Sequence, residues 1–357
     1  MSALIIVLGI VIYFAQRWAL ENALNGVSYD YQCSKLLIEP GEEFEIITTI
    51  TNNSRRFVPF VKVEEFFPSE LIIKDVKIAT RDDLKGNKRY ISTIYLMPRS
   101  KLVRRITASF DARGRYIFHG GDLRGGDFLG ISENIAHFHL FREIVVYPKR
   151  IVAPDIDSAM GGFMGDISVR RFIIEDPILT IGSREYTGRE PMKAISWSHS
   201  ARVGRLMVKQ FDHTIDPAVS VLFDIQSFDE DATIAEKKEF CFKAARTVCE
   251  TLESQSMKYD FITNAITMDA FSRWSYINES IGTRHISIIL EGLGRATHSS
   301  IESLREIIDM LINKQEHNRS AILITAKSPS EYNEDVSFLE SRLGGKVFII
   351  SAGDYIS

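Results

Sequence analysis

The apolar residues of this chain repeat with one period before about residue 150 and with another after residue 218. That change dictates two architectures in succession. From Val27 to about Lys149 the pattern is that of strands. Residues 44–53 (FEIITTITNN), 57–67 (FVPFVKVEEFF), 90–96 (YISTIYL) and 101–110 (KLVRRITASF) are rich in β-branched and aromatic residues, which suit a pleated, half-buried surface. Turn formers separate them: Glu39-Pro40-Gly41, Asn52-Asn53-Ser54, Lys85-Gly86-Asn87 and Arg113-Gly114. Short strands at this spacing, with no helical stretch among them, predict a small β-sandwich. Residues 142–148 (REIVVYP) close it.

Residues 218–225 (AVSVLFDI) are instead a continuous apolar run ending at Asp224, as expected of a strand buried on both faces. Residues 232–255 then show helical spacing, with Phe240, Ala244, Val248 and Leu252 on one stripe. A strand over 258–265 comes next. Helices over about 284–296 and 300–317 follow, Ile286, Ile289, Leu290 and Leu293 forming one face of the first. A strand over 320–326, a short helix near 332–343 and a strand over 346–351 complete the alternation. Strands alternating with helices predict a Rossmann-like α/β domain with a parallel sheet. Between the two patterns, Pro154, Gly161-Gly162 and Gly165 read as a linker or loop. The expected organisation is an N-terminal segment over 1–20, a β-sandwich over 27–150, a linker and lead-in over 151–183, and an α/β domain over 184–357. At 357 residues, two soluble domains are also the natural count.

Residues 3–15 (ALIIVLGIVIYFA) contain no charged group, and the run continues through Gln16, Arg17, Trp18, Ala19 and Leu20. Thirteen apolar residues make about 20 Å of helix, and extension to Leu20 about 27 Å, near the thickness of a bilayer core. The basic region and cleavage site of a secretory signal are not evident. The expectation is therefore a single-pass transmembrane anchor in the cell membrane. Arg17 after the run, with no Lys or Arg before it, orients the body toward the cytoplasm, with Trp18 at the interface.

Cys33, Cys241 and Cys249 are too scattered for a disulfide framework and form no CxxC pair. His137 and His139 sit two apart on one face of a possible strand, with no third metal ligand nearby in sequence. The formal net charge of -4 counts against a nucleic-acid-binding role.

Within this mildly acidic chain, residues 183–212 (SREYTGREPMKAISWSHSARVGRLMVKQFD) stand apart. Arg184, Arg189, Lys193, Arg202, Arg205 and Lys209 face only Glu185 and Glu190, a local excess of +4 over 184–209. Such a cluster, with Tyr186 and Trp197 among it, can dock an acidic partner. Arg suits bidentate contacts to carboxylate or phosphate. A structural role is the competing reading: Trp197 and Ile195 plug a domain junction while Arg202 ion-pairs with Glu185 or Asp224.

These residues also form an ordered signature. Arg184-Glu185-Tyr186, Gly188, Ile195, Trp197, Ser200-Ala201-Arg202 and Gly204 precede a strand over 206–211, and the strand ending at Asp224 comes next. Upstream stand Arg113-Gly114-Arg115-Tyr116, Asp127-Phe128-Leu129-Gly130-Ile131 and Val145-Val146-Tyr147-Pro148. Over nearly its whole length the chain resembles the domain-of-unknown-function 58 family of bacterial proteins. Arg189 stands where that family usually has Asp, with Glu190 beside it. Many relatives carry two membrane helices, where this chain has one short apolar segment.

The resemblance implies a membrane segment, a β-rich region and a C-terminal domain like the von Willebrand factor A fold. It also implies partners, a MoxR-type AAA+ ATPase and a transglutaminase-like membrane protein, and a role in envelope assembly or stress response. Von Willebrand A domains hold a metal with D-x-S-x-S at the end of the first strand. Here Asp224, Gln226 and Ser227 form a degenerate version, because Phe228 cannot ligate. The alternative for Asp224 is a cap on the strand end or the next helix. No nucleophile context, P-loop or G-x-G-x-x-G is found, so no catalytic residue, metal or cofactor is expected. The function expected is that of a non-enzymatic adaptor. A hydrolase using His199 and nearby carboxylates, on phosphate or cell-wall substrates, is the alternative.

Overall fold

The computed structural model describes residues 2–74, 79–82, 87–126, 133–151, 158, 160–167, 180–188, 190–211, 218–227, 233–267, 275–314 and 319–356. Its residues cluster into two compact units. The first is Met1–Lys149 with Leu293–Ala296, and the second is Arg150–Gly292 with Thr297–Ser357.

The first unit opens with α1 (Ser2–Glu21), followed by ten strands: β1 (Val27–Cys33), β2 (Leu37–Ile38), β3 (Phe44–Asn52), β4 (Val58–Pro68), β5 (Ile72–Ile73), β6 (Ala79–Asp82), β7 (Asn87–Leu96), β8 (Lys101–Ser109), β9 (Gly114–Gly126) and β10 (Glu133–Val146). They form a four-stranded sheet in the order β1-β3-β8-β5 and a six-stranded sheet in the order β2-β10-β9-β4-β7-β6. Pairing is antiparallel except between β2 and β10. Burial along β3 alternates residue by residue, so one face of each strand can enter a shared core. Tyr31, Phe44, Ile46, Phe67, Phe118 and Ile144, from both sheets, make that core. This is an antiparallel β-sandwich-like arrangement.

Two consecutive glutamates on β4 point to opposite faces. Glu65 is buried in the core, where it accepts from Tyr29 Oη (2.9 Å) and Thr48 Oγ1 (2.7 Å) and pairs with Arg104. Glu64 lies beneath Lys62 and Arg124, at 3.0 and 3.1 Å. Each buried carboxylate thus has a cation against it, the condition under which such a charge is tolerated.

Among the described residues no helix is long and apolar enough to cross a membrane, so the expected transmembrane span is not found. Several apolar side chains of α1, at 3–6, 8, 10, 12 and 19, lie outside the described residues, and in its second half Arg17 pairs with Glu21 at 3.1 Å.

The second unit is built around a mixed, mostly parallel α/β sheet. A helix over 160–167 (α2) replaces the loop expected there, because Met160, Phe163, Met164 and Ile167 are buried at helical spacing despite the glycines between them. Pro154 lies outside the described residues. β11 (Thr180–Glu185) and β12 (Met207–Phe211) form an antiparallel pair, with α3 (Trp197–Val203) between them. The main sheet follows: β13 (Ala218–Asp224), α4 (Ile234–Ser254), β14 (Lys258–Thr263), β15 (Ala265–Thr267), β16 (Tyr276–Ser280), α5 (Thr283–Arg295), β17 (Ala296–Ser300), α6 (Leu304–Lys314), β18 (Arg319–Thr325), α7 (Pro329–Leu343) and β19 (Gly344–Ser351).

Its order is β16-β14-β13-β18-β19. The last four strands of that order are parallel, and β16 is an antiparallel edge that the sequence pattern did not predict. Neighbouring residues of β13 serve opposite faces. Leu222 packs with α6 and α7 through Leu304, Ile308 and Leu339, while Phe223 meets Phe242 of α4 at 5.0 Å. Helices therefore cover both faces, as a parallel sheet requires.

Candidate functional site

The basic signature folds as a two-stranded ribbon carrying one short helix. Its backbone is fastened at four points. Tyr186 N–H donates to the Leu206 carbonyl at 2.9 Å, Ser196 N–H donates to the Met207 carbonyl at 2.8 Å, and Ile195 bridges to Val208. Ser200 Oγ accepts from Met207 N–H at 2.8 Å and donates to the Ser196 carbonyl at 2.8 Å. α3 stops at Gly204, whose φ of +73° is the left-handed conformation a helix C-cap favours in glycine.

Ile195, Ser200 and Val208 are buried, whereas Trp197 is 62% exposed. Ile195 is thus buried within the ribbon against Val208, whereas Trp197, expected as a plug, is exposed at the start of α3. Around Trp197 the ribbon also exposes Met192, Val203 and Leu206.

The charges sort into two groups. Arg184 pairs with Glu190 at 2.6 Å, and Arg205 pairs with Glu185 at 3.3 Å. The expected pairing of Arg202 with Glu185 or Asp224 is not formed. The β11–β12 register sets Glu185 opposite Met207, which brings Arg205 rather than Arg202 within reach. Lys193, Arg202 and Lys209 are exposed, and no ion pair of theirs is found among the described residues. Tyr186 is half-buried, and Arg189 lies outside the described residues.

Glu190 supplies a carboxylate one residue beyond Arg189. It accepts from Thr187 Oγ1 (2.7 Å) and Thr187 N–H (3.1 Å). The Thr187 hydroxyl, and then Arg184, hold its carboxyl down at about 2.

His199, the candidate base of the hydrolase alternative, is exposed, and its Nδ1 contacts the hydroxyl of Ser183. No carboxylate partner of His199 is found among the described residues.

The second candidate site lies at the carboxyl end of the parallel sheet. From β13 the chain moves through α4 to β14 on one side, and later returns to β18 on the other. The crevice between β13 and β18 is thus a topological switch point, where open α/β sheets hold ligands. Asp224 closes β13 there, fully buried. Its Oδ1 accepts from Asn264 Nδ2 (2.6 Å) and Gln226 N–H (3.0 Å), and its Oδ2 from Thr325 Oγ1 (2.9 Å).

Lys327 enters the same position. Its Nζ is 3.4 Å from Asp224 Oδ2 and donates to Gln226 Oε1 at 3.0 Å. An ammonium thus stands among the oxygens that a degenerate metal motif would offer to a cation. Among the described residues no cluster of three or more His, Cys, Asp or Glu is suited to a metal. Phe228 lies outside the described residues. Asn264 and Lys327 are functional-site candidates that the sequence reading missed. Their positions, just past the ends of β14 and β18, could have found them.

His137 and His139 stack at 6.3 Å on β10, and His137 Nδ1 meets Asp122 Oδ1 at 2.7 Å. Of the upstream signature, Arg115 pairs with Glu143 at 2.8 Å and Tyr116 stacks on Phe110 at 3.9 Å. Residues 127–131 lie outside the described residues.

No protein-family model matches the chain. It is 25% identical over 207 residues to the uncharacterized protein YeaD of Bacillus subtilis (strain 168), a similarity that covers 56% of this chain and 48% of that protein. The chain thus spans about half the length of the curated relative it matches. Among solved structures it is similar to a cohesin module from a Clostridium perfringens family 33 glycoside hydrolase, at 13% identity and a TM-score of 0.27, over 34% of this chain and 96% of that one. It is also similar to the CARDB domain of the PF1109 protein from Pyrococcus furiosus, at 13% identity and a TM-score of 0.22, over 34% and 91%. Likenesses at this level carry no function with them.

Proposed function

We propose that this chain is a non-enzymatic, membrane-anchored adaptor of the domain-of-unknown-function 58 kind, with a von Willebrand A-like second domain. It docks an acidic protein partner through the basic ribbon over 184–209. The observation that carries this reading is the ribbon's division of labour. Ile195, Ser200 and Val208 hold the fold, while Trp197 and Met192 stand exposed beside Lys193, Arg202 and Lys209. Tryptophan and arginine are the residues that most often dominate protein–protein contacts, and exposed apolar side chains rimmed by charge mark interaction surfaces. By resemblance the partner is a MoxR-type AAA+ ATPase, with a transglutaminase-like membrane protein in the same assembly, serving envelope assembly or stress response.

Membrane attachment through α1 belongs to the same proposal, with the soluble units on the cytoplasmic side of the cell membrane. It is supported by the uncharged run over 3–15 and by the exposure of Val7, Val11, Phe14 and Trp18 along one face of α1. Extraction of the full chain in detergent and identification of co-purifying proteins tests the reading. Recovery of an AAA+ ATPase by the wild type, lost on R202E with W197A, is expected. A wild type that recovers none overturns it.

The contact between Ser183 and His199 favours the alternative of a hydrolase, with His199 as base. Turnover of a phosphate ester or cell-wall fragment that disappears in H199A, in a chain that still folds, would establish it against the adaptor.

A further inference from the structure

We propose that the end of the β-sandwich beside α1 is a binding face for the headgroups of anionic phospholipids. The proposal rests on the membrane-anchored reading above and adds a second, lipid-selective contact to it. Three segments meet there. Asn53 N–H donates to the Gly26 carbonyl (2.8 Å), which ties the chain leaving α1 to the turn over 52–57. Asn52 Nδ2 donates to the carbonyls of Arg56 (2.8 Å) and Met97 (3.0 Å), and Arg99 N–H donates to the Ser54 carbonyl (2.9 Å). The turns over 52–57 and 97–100 are thereby stitched into one surface.

That surface is cationic and aromatic. Stretches 52–59 and 95–101 contain Arg55, Arg56, Arg99 and Lys101 and no Asp or Glu. Trp18, Phe57 and Tyr95 are about half exposed or more on it, at 56, 49 and 63%. Arg56 lies over the Trp18 ring, 5.3 Å from its centroid. Beside this pair is a cavity of about 270 Å³ lined by Ala23, Val58, Pro59 and Gly126 among others, near the lower end of the range for small-ligand pockets.

The charge and aromatic content match the interfacial zone of a bilayer, where Trp and Tyr sit at headgroup level and Lys or Arg meet anionic lipid. Continuity with α1 decides the occupant. Val7, Val11, Phe14 and Trp18 follow one face of the helix and lead onto this end of the sandwich. In this geometry the guanidinium groups of Arg55, Arg56 and Arg99 contact lipid phosphates, while Phe57 and Tyr95 enter the headgroup layer.

The test uses the full chain in vesicles of phosphatidylcholine alone or mixed with phosphatidylglycerol. Flotation reads attachment. A fluorophore on Y95C, quenched by brominated acyl chains, reads the sandwich end; Cys241 and Cys249 are buried and Cys33 is half-buried. Expected is flotation with both vesicles, with quenching several-fold stronger when phosphatidylglycerol is present. That gain disappears in R55E/R56E/R99E. Arg55 and Arg99 are exposed, so R55E/R99E gives the same reading if the triple variant does not fold. Equal quenching in both vesicles, or a gain that survives the charge reversals, overturns the headgroup face while flotation leaves the anchor standing. A chain that floats with neither vesicle overturns the anchor and this proposal together.

Discussion

The ammonium of Lys327 stands 3.4 Å from Oδ2 of Asp224, both groups buried at the carboxyl end of the parallel sheet. The protein thus supplies its own cation at the strand end where the von Willebrand A pattern would use a metal. The Thr325 hydroxyl and the Asn264 amide complete the cage around the carboxylate. The carboxylate thus accepts three hydrogen bonds beside the ammonium.

Replacing Lys327 by Ala removes the cation in contact with that carboxylate. Removal of one partner of a buried pair costs about 3–5 kcal/mol, and urea unfolding of K327A should show a loss of that order. Millimolar Mg2+ should raise the melting temperature of K327A and leave the wild type unchanged. A wild type stabilised by Mg2+ would show that the ammonium does not occupy the cation position.

Within the signature, Ile195 and Trp197 should behave oppositely on truncation. I195A removes a buried side chain and should destabilise by about 2 kcal/mol or more. W197A touches an exposed group, so its effect should stay within about 0.5 kcal/mol, while partner recovery falls. Thermal melts of the two variants, run beside the co-purification, separate these roles.

Glu190 should titrate at about 2 in the folded chain, because the Thr187 hydroxyl and the Arg184 guanidinium both favour its charged form. The sign follows from linkage. A carboxylate lowered on folding contributes stability that is fully present above its unfolded value, about 4.3, and is lost as pH falls through its folded value. The hydrogen bonds between Thr187 and Glu190 should therefore persist at pH 4. Carboxyl chemical shifts followed by NMR give the midpoint, and T187V should move it upward.

His285 is buried, its imidazole edge-on to Tyr259 at 4.6 Å, and burial lowers its pKa. Glu253 and Asp260 act in the opposite direction, through charge. A histidine lowered on folding binds its proton more readily in the unfolded chain, so acid destabilises the native state. Stability should begin to fall as pH drops below about 6.5, the unfolded value. Denaturant midpoints between pH 8 and 5 should decline, with a shallower decline in H285F.

Burial pushes the Cys33 thiol up to about 11 and raises Cys241 and Cys249 further. Since the thiolate is the reactive form, a thiol reagent at pH 7.5 should leave Cys241 and Cys249 unmodified in the native protein and modify Cys33 slowly at most. Unfolding in guanidinium should release all three thiols for reaction.

Much of the fold was legible wherever burial is periodic. Residues 218–224 read as a strand ending at Asp224, and β13 occupies those residues. The stripe of Ala244, Val248 and Leu252 is the buried face of α4. Elements stabilised by their neighbours were not legible. β9 holds five glycines in thirteen residues, which weakens any strand signal. Yet it lies between β10 and β4, so close that a Cβ on Gly120, at φ +92°, would stand 2.1 Å from the Phe138 carbonyl oxygen. Glycine is needed there for close approach, and the same glycines obscure the strand. The polar strands β16 and β17 carry little apolar periodicity and exist by pairing, with β14 and β15 respectively.

By itself, the sequence determined what depends on near neighbours. It located the change of period, the run over 3–15, the cationic excess over 184–209 and an aspartate at a strand end. Tertiary structure decided which of those groups meet. Parallel register between β13 and β18 sets Asp224 opposite Thr325, and so brings Lys327 rather than Arg202 to the carboxylate. Antiparallel register between β11 and β12 brings Arg205 to Glu185. The start of α3 turns Trp197 outward while Ile195, two residues before it, bridges to Val208. Periodicity records which side of its own element a residue occupies. The partner across the gap is set by strand pairing between distant segments, and no local pattern encodes it.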